Sequence, residues 1–152
     1  MNLTKDFTLE EFCQSPTATR MGIDMVPSTA VELALAGLAQ NVLQPLRDKI
    51  GRPLRVTSGY RPQRLNAAIG GAANSQHVLG EAADIQCDGL TPLQLCRAVI
   101  DAGLPFDQLI YEFGPTGWMH VSHSPASGQR GQVLSSSHQP GMGTVYHAGL
   151  PQ

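Results

Sequence analysis

Three residues in this sequence have side chains of the types that bind zinc, and two of them lie close together in the chain. His77 and Asp84 are seven positions apart, and His120 follows much later. A catalytic zinc ion is usually held by three protein ligands, with a fourth position open to water, and two neutral imidazoles with one carboxylate suit that role. The spacing excludes the helical zinc motif in which two histidines lie four positions apart. We therefore expect these candidate ligands to come from a loop or strand edge and from a distant strand.

The segment that contains the first two candidates has two interpretations. Taken alone, His77 is more simply explained by a polar loop that leads into a buried strand. The whole segment carries a more specific pattern of small, polar and ligand-type residues at fixed offsets: Ser75, His77, Gly80, Ala82 and Asp84. This pattern resembles the signature Ser-x-His-x-x-Gly-x-Ala-x-Asp of the zinc D-alanyl-D-alanine carboxypeptidase and L-alanyl-D-glutamate endopeptidase family.

Two further segments agree with this family and occur in its order along the chain. Residues 57–61 read Thr-Ser-Gly-Tyr-Arg, and residues 118–120 read Trp-Met-His. The resemblance covers roughly residues 5 to 123. It is specific because three separate segments carry it.

The resemblance implies a zinc metallopeptidase that acts on peptidoglycan. One zinc ion per chain would be held by His77, Asp84 and His120. The bond cut would lie next to a D-amino acid in a stem or cross-link peptide. Whether the chain is a carboxypeptidase or an endopeptidase stays open at this point.

Arg61 is the candidate for binding an anion at the site. It follows a predicted strand, and its planar guanidinium can bind a substrate carboxylate or stabilise an oxyanion. The alternative is a surface arginine that precedes a proline. In the resembling family an arginine in this segment lies at the zinc site, so the resemblance implies that Arg61 acts in substrate binding and catalysis. We assign Ser75 and Trp118 to substrate binding as well.

The sequence departs from the family at the position of the general base. Many members carry an acidic residue three positions before the last histidine, where this chain has Gly117. A zinc peptidase needs a group that moves protons between water and the leaving amine. Glu112 is our first choice, because the two strands of a hairpin would bring it near His120. Glu81 is the second option, and a chain that binds zinc with little activity is the third.

Periodicity and capping signals predict the elements that position these residues. Apolar residues recur at three- and four-residue intervals over 28–50, where Pro45 should kink or restart the helix, and a second helix is predicted over 91–102. Alternating or β-branched segments predict strands at 53–58, from residue 81, at 106–113 and at 118–122. We expect an α+β fold in which a small, mainly antiparallel sheet carries the zinc site and the helices cover its back. The resemblance implies the fold shared by the D-Ala-D-Ala peptidases and the hedgehog signalling domain.

The composition changes near residue 124. We expect a single zinc peptidase domain over 1–123, followed by a Gly/Ser/Pro-rich extension over 124–152. Arg130 is the only Lys, Arg, Asp or Glu in that extension. We expect it to be partly ordered, with one short strand near 132–134 and a loose end. Nothing in the sequence fixes the geometry of its histidines, so we do not assign them as ligands.

Composition excludes several other classes of function. The formal net charge of −2 gives no electrostatic footprint for nucleic acid. No apolar run approaches the roughly 20 residues that span a bilayer, and the N-terminal residues lack the apolar core of a secretory signal. The irregular spacing of Cys13, Cys87 and Cys96 favours reduced thiols. We expect a monomer that is synthesised in the cytoplasm without a signal peptide, does not insert into membranes and acts on peptidoglycan peptides.

Two classes of function remain. The first is a peptidoglycan hydrolase of phage or prophage type, an endolysin or virion-associated enzyme that reaches the cell wall with outside help; this context is implied by the resemblance. The second is a non-catalytic zinc-containing module on the same fold, which binds cell wall or has a structural role in a virion. The amino-terminal signalling domain of hedgehog proteins shows that such relatives exist.

Overall fold

The computed structural model describes residues 1–126 and 128–152 of the chain. In this part of the chain the α-helices are α1 (Leu9–Phe12), α2 (Pro16–Met21), α3 (Thr29–Leu38), α4 (Gln44–Ile50), α5 (Gln63–Ala68) and α6 (Pro92–Asp101). The strands are β1 (Arg55–Ser58), β2 (Ala82–Gln86), β3 (Gln108–Glu112), β4 (Trp118–Ser122), β5 (Gln132–Gln139) and β6 (Gly143–Ala148). The fold is α+β, as predicted. None of the described helices is both long and apolar enough to cross a lipid bilayer.

The strands form one six-stranded sheet in the order β1-β2-β4-β3-β5-β6. Every pairing is antiparallel except that of β3 with β5, which is parallel. A short 3-10 turn, Gly114–Thr116, joins β3 to β4. The predicted hairpin therefore forms, and its two strands lie at the centre of the sheet.

One face of the sheet is packed and the other is open. Side chains alternate along a strand, and one set of alternating positions is buried and apolar: Ala83, Ile85, Leu109, Tyr111, Met119 and Val121. These residues form one core with buried residues of α3, α4 and α6. The helices cover the back of the sheet, as predicted, and leave the other face free for the site.

The first long helix predicted from the sequence is interrupted near its middle. A π-helical turn, Ala39–Leu43, separates α3 from α4. Pro45 lies in the first turn of α4, where a missing backbone N–H costs little. The wider turn accommodates the chain ahead of the proline, and Leu38, Val42 and Leu46 all remain fully buried.

The three cysteines are free thiols, in agreement with the prediction. Burial raises the pKa of Cys96 to about 12 and that of Cys13, with help from nearby carboxylates, to about 11. Both thiols therefore stay protonated at neutral pH and act as packing residues.

The C-terminal segment differs from the sequence-based expectation. In place of one short strand with a loose end, β5 and β6 pair as an antiparallel hairpin, and β5 adds to the edge of β3. Gly141 lies in the turn between them and Gly143 begins β6; both have positive φ, which only glycine adopts readily. Polar residues such as Ser135 and Ser137 hide the strand periodicity, because the edge hairpin buries little of either face. The division of the chain into two regions at residue 123 stays a prediction.

Candidate metal centre

Three buried residues of the types that bind metals converge on the open face of the sheet. One possible ligand atom from each of His77, Asp84 and His120 lies within 4.8 Å of the other two. His77 Nε2 is 3.3 Å from Asp84 Oδ1, and His120 Nδ1 is 3.1 Å from the same oxygen. The structure therefore brings together the three residues that the sequence analysis proposed as metal ligands.

The sheet positions two of these residues directly. Asp84 on β2 and His120 on β4 are paired partners in the antiparallel register. Directly paired residues of neighbouring strands project to the same face with their Cβ atoms about 5 Å apart. The register alone therefore brings this carboxylate and this imidazole within reach of one ion.

His77 comes from the loop ahead of β2, and two features hold it there. Its backbone carbonyl accepts a hydrogen bond from the Arg61 N–H at 3.0 Å. Gly80 has φ of +73° and lies so close to α3 that a Cβ would be 2.9 Å from the carbonyl oxygen of Val31. Only glycine fits this close approach and backbone conformation, so the loop can pass between the helix and the site.

A backbone carbonyl fixes the orientation of the His77 ring. His77 Nδ1 lies 2.7 Å from the carbonyl oxygen of Gly59. Because a carbonyl oxygen only accepts, Nδ1 carries the proton and donates it. The lone pair is then on Nε2, which faces Asp84. Metal-binding histidines usually make this kind of hydrogen bond through the other ring nitrogen.

Arg61 contacts the second oxygen of the Asp84 carboxylate. Its Nη2 is 3.3 Å from Asp84 Oδ2, and its Nε donates to Ser58 Oγ at 3.0 Å. Burial alone would raise the pKa of Asp84, but its contacts with His120 and His77 outweigh that effect, so this pKa lies well below its usual value. The carboxylate is therefore ionised at neutral pH and available as a ligand.

The donor set fits a zinc ion. It offers two imidazole nitrogens and one ionised carboxylate, which is the combination found in many catalytic zinc sites. All three residues are buried, with exposed fractions between 3% and 8%. A cation held there would compensate the charge of the buried Asp84 carboxylate.

The candidate ligands lie in a cavity of about 610 Å³ on the open face of the sheet. All the residues that the sequence assigned to the site line it: Arg61, Ser75, His77, Asp84, Glu112, Trp118 and His120. Glu81, the second option for the base, does not belong to this lining among the described residues. Its Oε1 accepts a hydrogen bond from Gln76 Nε2 at 3.1 Å.

Glu112 is held at the wall of this cavity by Trp118. The two residues are paired across β3 and β4, and Trp118 Nε1 donates to Glu112 Oε2 at 2.7 Å. Burial raises the pKa of Glu112, and the negative charge of Asp84 acts in the same direction; His120 and the indole hydrogen bond oppose the rise. The geometry therefore favours Glu112 over Glu81 as a carboxylate that could exchange protons in the cavity.

Comparison with known proteins identifies the family. Residues 5–122 match the family model described as Peptidase M15. The chain belongs to the peptidase M15 family. It is also similar to the zinc D-Ala-D-Ala carboxypeptidase of Streptomyces albus G, with 31% identity over 110 aligned residues. The aligned segment covers 72% of this chain and 41% of that relative. The chain thus spans less than half of the length of this relative.

This M15 chain cannot hold an acidic side chain at position 117 without a backbone change. A Cβ built on Gly117 would overlap the carbonyl oxygen of Glu112. The departure from the family pattern is therefore built into the β3–β4 connection and is more than the loss of one side chain. The same connection brings Glu112 to the cavity.

Ser75 has a structural contact as well as a place in the M15 cavity. Its Oγ accepts a hydrogen bond from the backbone N–H of His77 at 3.2 Å. The serine thus orders the turn that presents the histidine. Its assignment to substrate binding stays a prediction.

Sequence reasoning missed Asn66, which is buried beside the site of this M15 domain. Asn66 Nδ2 donates to the carbonyl oxygen of Ala72 at 2.8 Å, and its Oδ1 accepts from Arg61 Nη1 at 3.5 Å. It therefore ties α5 to the loop that leads to His77. One asparagine in a short helix such as α5 carries no sequence signal of such a role. Arg130 and Tyr146 of the C-terminal segment also line the cavity and were missed, because that segment was expected to be largely loose.

Proposed function

We propose that this chain is a zinc-dependent peptidase that cleaves a peptide bond next to a D-amino acid in peptidoglycan stem or cross-link peptides. The observation that carries the proposal is the convergence of His77, Asp84 and His120 in a cavity that Glu112 and Arg61 also line. Membership of the peptidase M15 family supports the class of reaction. The name of the Streptomyces relative, a zinc D-Ala-D-Ala carboxypeptidase, supports the class of substrate.

His77, Asp84 and His120 would hold the zinc ion in this proposal. When bound, zinc supplies Lewis-acid chemistry, since it polarises a carbonyl group and lowers the pKa of water. Arg61 and the Gly59 carbonyl hold Asp84 and His77 in the orientation that this binding requires. The protein therefore provides both the ligands and the contacts that orient them.

Glu112 moves the proton in this mechanism. Its Oε2 is engaged by the indole of Trp118, so Oε1 accepts the proton from the attacking water and delivers it to the leaving amine. The raised pKa of Glu112, which burial causes, brings its proton affinity closer to neutral pH, where a general base works best. A positioned carboxylate of this kind contributes roughly 10²–10⁴-fold to the rate.

Arg61 binds the negative charge of the substrate or of the tetrahedral intermediate. Its side chain is held by Ser58 and Asp84 and is 15% exposed. A guanidinium fixed in this way costs little reorganisation when charge develops on an oxygen in front of it. Trp118 supplies an aromatic wall, and Ser75 lies on the loop side of the same cavity.

One observation favours the alternative, a non-catalytic zinc-containing module that binds cell wall or is part of a virion. Gly117 removes the acidic residue that many relatives carry, and the backbone there has no room for one. If Glu112 does not move protons, the cavity keeps its zinc ligands and its shape but has no base. A phage or prophage context stays a prediction from the resemblance.

The test uses purified peptidoglycan and the zinc-loaded chain. The wild type should release new peptide termini, and mass spectrometry of the products should identify one cleaved bond next to a D-amino acid. His120→Ala should release none, whereas the exposed His138→Ala should match the wild type. Co-sedimentation of an inert wild type with cell walls would favour the binding module, and a wild type that neither cuts nor binds would refute both functions.

A further inference from the structure

The C-terminal hairpin extends the open face of the sheet beyond the metal centre. In the register of the sheet, Trp118 pairs with Glu112, Glu112 with Ser136, and Ser136 with Tyr146. Paired residues of neighbouring strands project to the same face. Tyr146 therefore lies on the face that carries the site, and it lines the same cavity. This hairpin lies outside residues 5–122, which the family model matches.

The Tyr146 side chain is placed to meet a ligand in the cavity. The residue is 53% exposed, although an aromatic ring gains from packing. Burial of its hydroxyl and, second, the charge of Glu112 raise the pKa of Tyr146, so the phenol is a neutral donor at working pH. An exposed ring with a neutral donor is suited to packing on a peptide chain.

The hairpin is fixed relative to the zinc-site loop. Arg130, just before β5, donates to both oxygens of Asp107, at 3.0 Å from Nε and 2.8 Å from Nη2. The same carboxylate accepts a hydrogen bond from Gln76 Nε2 at 3.1 Å. Gln76 immediately precedes His77, so this network connects the hairpin to the loop that presents a candidate zinc ligand.

The spacing of the strands indicates which part of a substrate would reach Tyr146. Neighbouring strands lie about 4.8 Å apart. Tyr146 is two strands away from Glu112, so the two residues are separated by roughly 10 Å across the sheet. An extended peptide advances about 3.3 Å per residue, so that distance corresponds to about three residues. A peptide lying across the strands, with its cleaved bond beside Glu112, would place a residue two or three positions away against the ring.

We propose that the β5–β6 hairpin forms a substrate subsite and that Tyr146 is a specificity-determining residue, which packs on the peptide chain two or three residues from the cleaved bond. This inference rests on the proposed peptidase function. It adds that the chain selects longer peptides and that the selection resides in the C-terminal hairpin. Arg61 and the metal centre lie on the other side of Glu112 in the sheet, so the two ends of the peptide meet different parts of the cavity.

The test compares two peptides that share the residues on either side of the cleaved bond. The short peptide contains only those two residues, and the long peptide extends three residues further on each side. Wild-type kcat/KM should be at least about tenfold higher for the long peptide, as expected for one aromatic contact. Tyr146→Ala should remove that advantage through KM, with the short-peptide rate, kcat and zinc content unchanged. Tyr146→Phe should keep most of it.

His147→Ala is the matched control, because this exposed residue alternates to the opposite face of β6. It should keep the wild-type preference for the long peptide. The subsite is overturned if the wild type cuts both peptides equally well, or if Tyr146→Ala keeps the preference or slows both peptides alike. A wild type that cuts neither peptide nor purified peptidoglycan overturns the peptidase function itself and, with it, the subsite. The two failures are therefore distinguishable.

Discussion

Trp118 and Glu112 are paired across β4 and β3, and the indole N–H donates a 2.7 Å hydrogen bond to the Glu112 carboxylate. The ring of Phe113 packs against Trp118 with 5.3 Å between centroids and helps to hold the indole. The hydrogen-bond partner of Glu112 Oε2 is thus the neutral indole of Trp118. Its effect on the pKa of Glu112 is smaller than that of burial, so this pKa is raised. The pair places a carboxylate of increased basicity at the wall of the cavity.

Replacing Glu112 by Gln should lower peptidoglycan hydrolysis roughly 10²–10⁴-fold, because Gln keeps the size of the side chain but cannot take up a proton. The zinc content and the unfolding transition should match the wild type. Product release from purified cell walls measures the rate. Glu81→Gln is the control and should stay near the wild-type rate, since Glu81 bonds to Gln76. The reverse result, with Glu81→Gln inactive and Glu112→Gln active, would make Glu81 the base.

Removing an imidazole should remove the metal. His120→Ala and His77→Ala should each lose most of the zinc after dialysis, because each leaves only two ligands from the predicted set. Elemental analysis of the dialysed protein measures the zinc per chain. His138→Ala, which changes an exposed histidine of β5, should retain about one zinc. Stoichiometric zinc in both site variants would refute the ligand assignment.

Arg61→Ala should weaken zinc binding as well as catalysis. Its Nη2 contacts Asp84 Oδ2 at 3.3 Å, and loss of a group that orients a metal ligand typically costs 10–100-fold in metal affinity or activity. Competition with a chelator measures the zinc affinity. Arg64→Ala is the matched control, because Arg64 is an exposed arginine of the neighbouring helix α5. Equal zinc affinity in the two variants would limit Arg61 to contacts with the substrate.

Gly80→Ala should destabilise the protein more than Gly22→Ala. Both glycines have positive φ, which costs a non-glycine residue roughly 1–2 kcal/mol. At Gly80 the new Cβ would also lie 2.8 Å from Val31 Cγ1 and 2.9 Å from Val31 O, whereas at Gly22 nothing lies within 4 Å. We expect an additional loss of about 1–3 kcal/mol at Gly80, as in overpacked cores. Urea unfolding compares the two, and equal losses would show that α3 moves aside freely.

The Asp107–Arg130 pair should stabilise the fold in a pH-dependent way. The hydrogen bond from Arg130 lowers the pKa of Asp107 from 3.8 to about 2. A carboxylate with a lowered pKa stabilises the folded state above its unfolded pKa, and this contribution is lost as the pH falls through the folded pKa. The wild type should therefore have a larger free energy of unfolding than Asp107→Asn. This difference should be constant above roughly pH 5 and should shrink between about pH 4 and 2.

Urea unfolding of both metal-free proteins at each pH checks this prediction. In the metal-free proteins, the titration of the candidate zinc ligands affects the wild type and the variant equally. It therefore cancels in the difference between their free energies of unfolding, and the remaining pH dependence reports on Asp107. We expect it to be on the order of 1–2 kcal/mol at neutral pH. A difference that stays constant down to pH 2 would contradict the assigned role of the pair.

The sequence by itself determined the local structure and the identity of the candidate ligands. In the strand predicted over 118–122, side-chain alternation alone puts Trp118, His120 and Ser122 on one face, whatever the strand pairs with. The signature segment identified His77 and Asp84, and the helix signals predicted the elements that cover the back of the sheet. The helices and strands depend on neighbours within a few residues, and the periodicity of side chains encodes them directly. The ligands His77 and Asp84 followed from the resemblance of the signature segment to the family pattern.

The tertiary structure decided the relationships between distant segments. The position of Glu112 in the cavity lining, which Glu81 does not share, depended on the register of β3 with β4. The orientation of the His77 ring depended on the Gly59 carbonyl, eighteen residues away in the chain. Tyr146 entered the cavity only because β5 pairs with the edge of β3. Such contacts arise from packing and backbone pairing between segments that are far apart in sequence, so local residue patterns do not encode them.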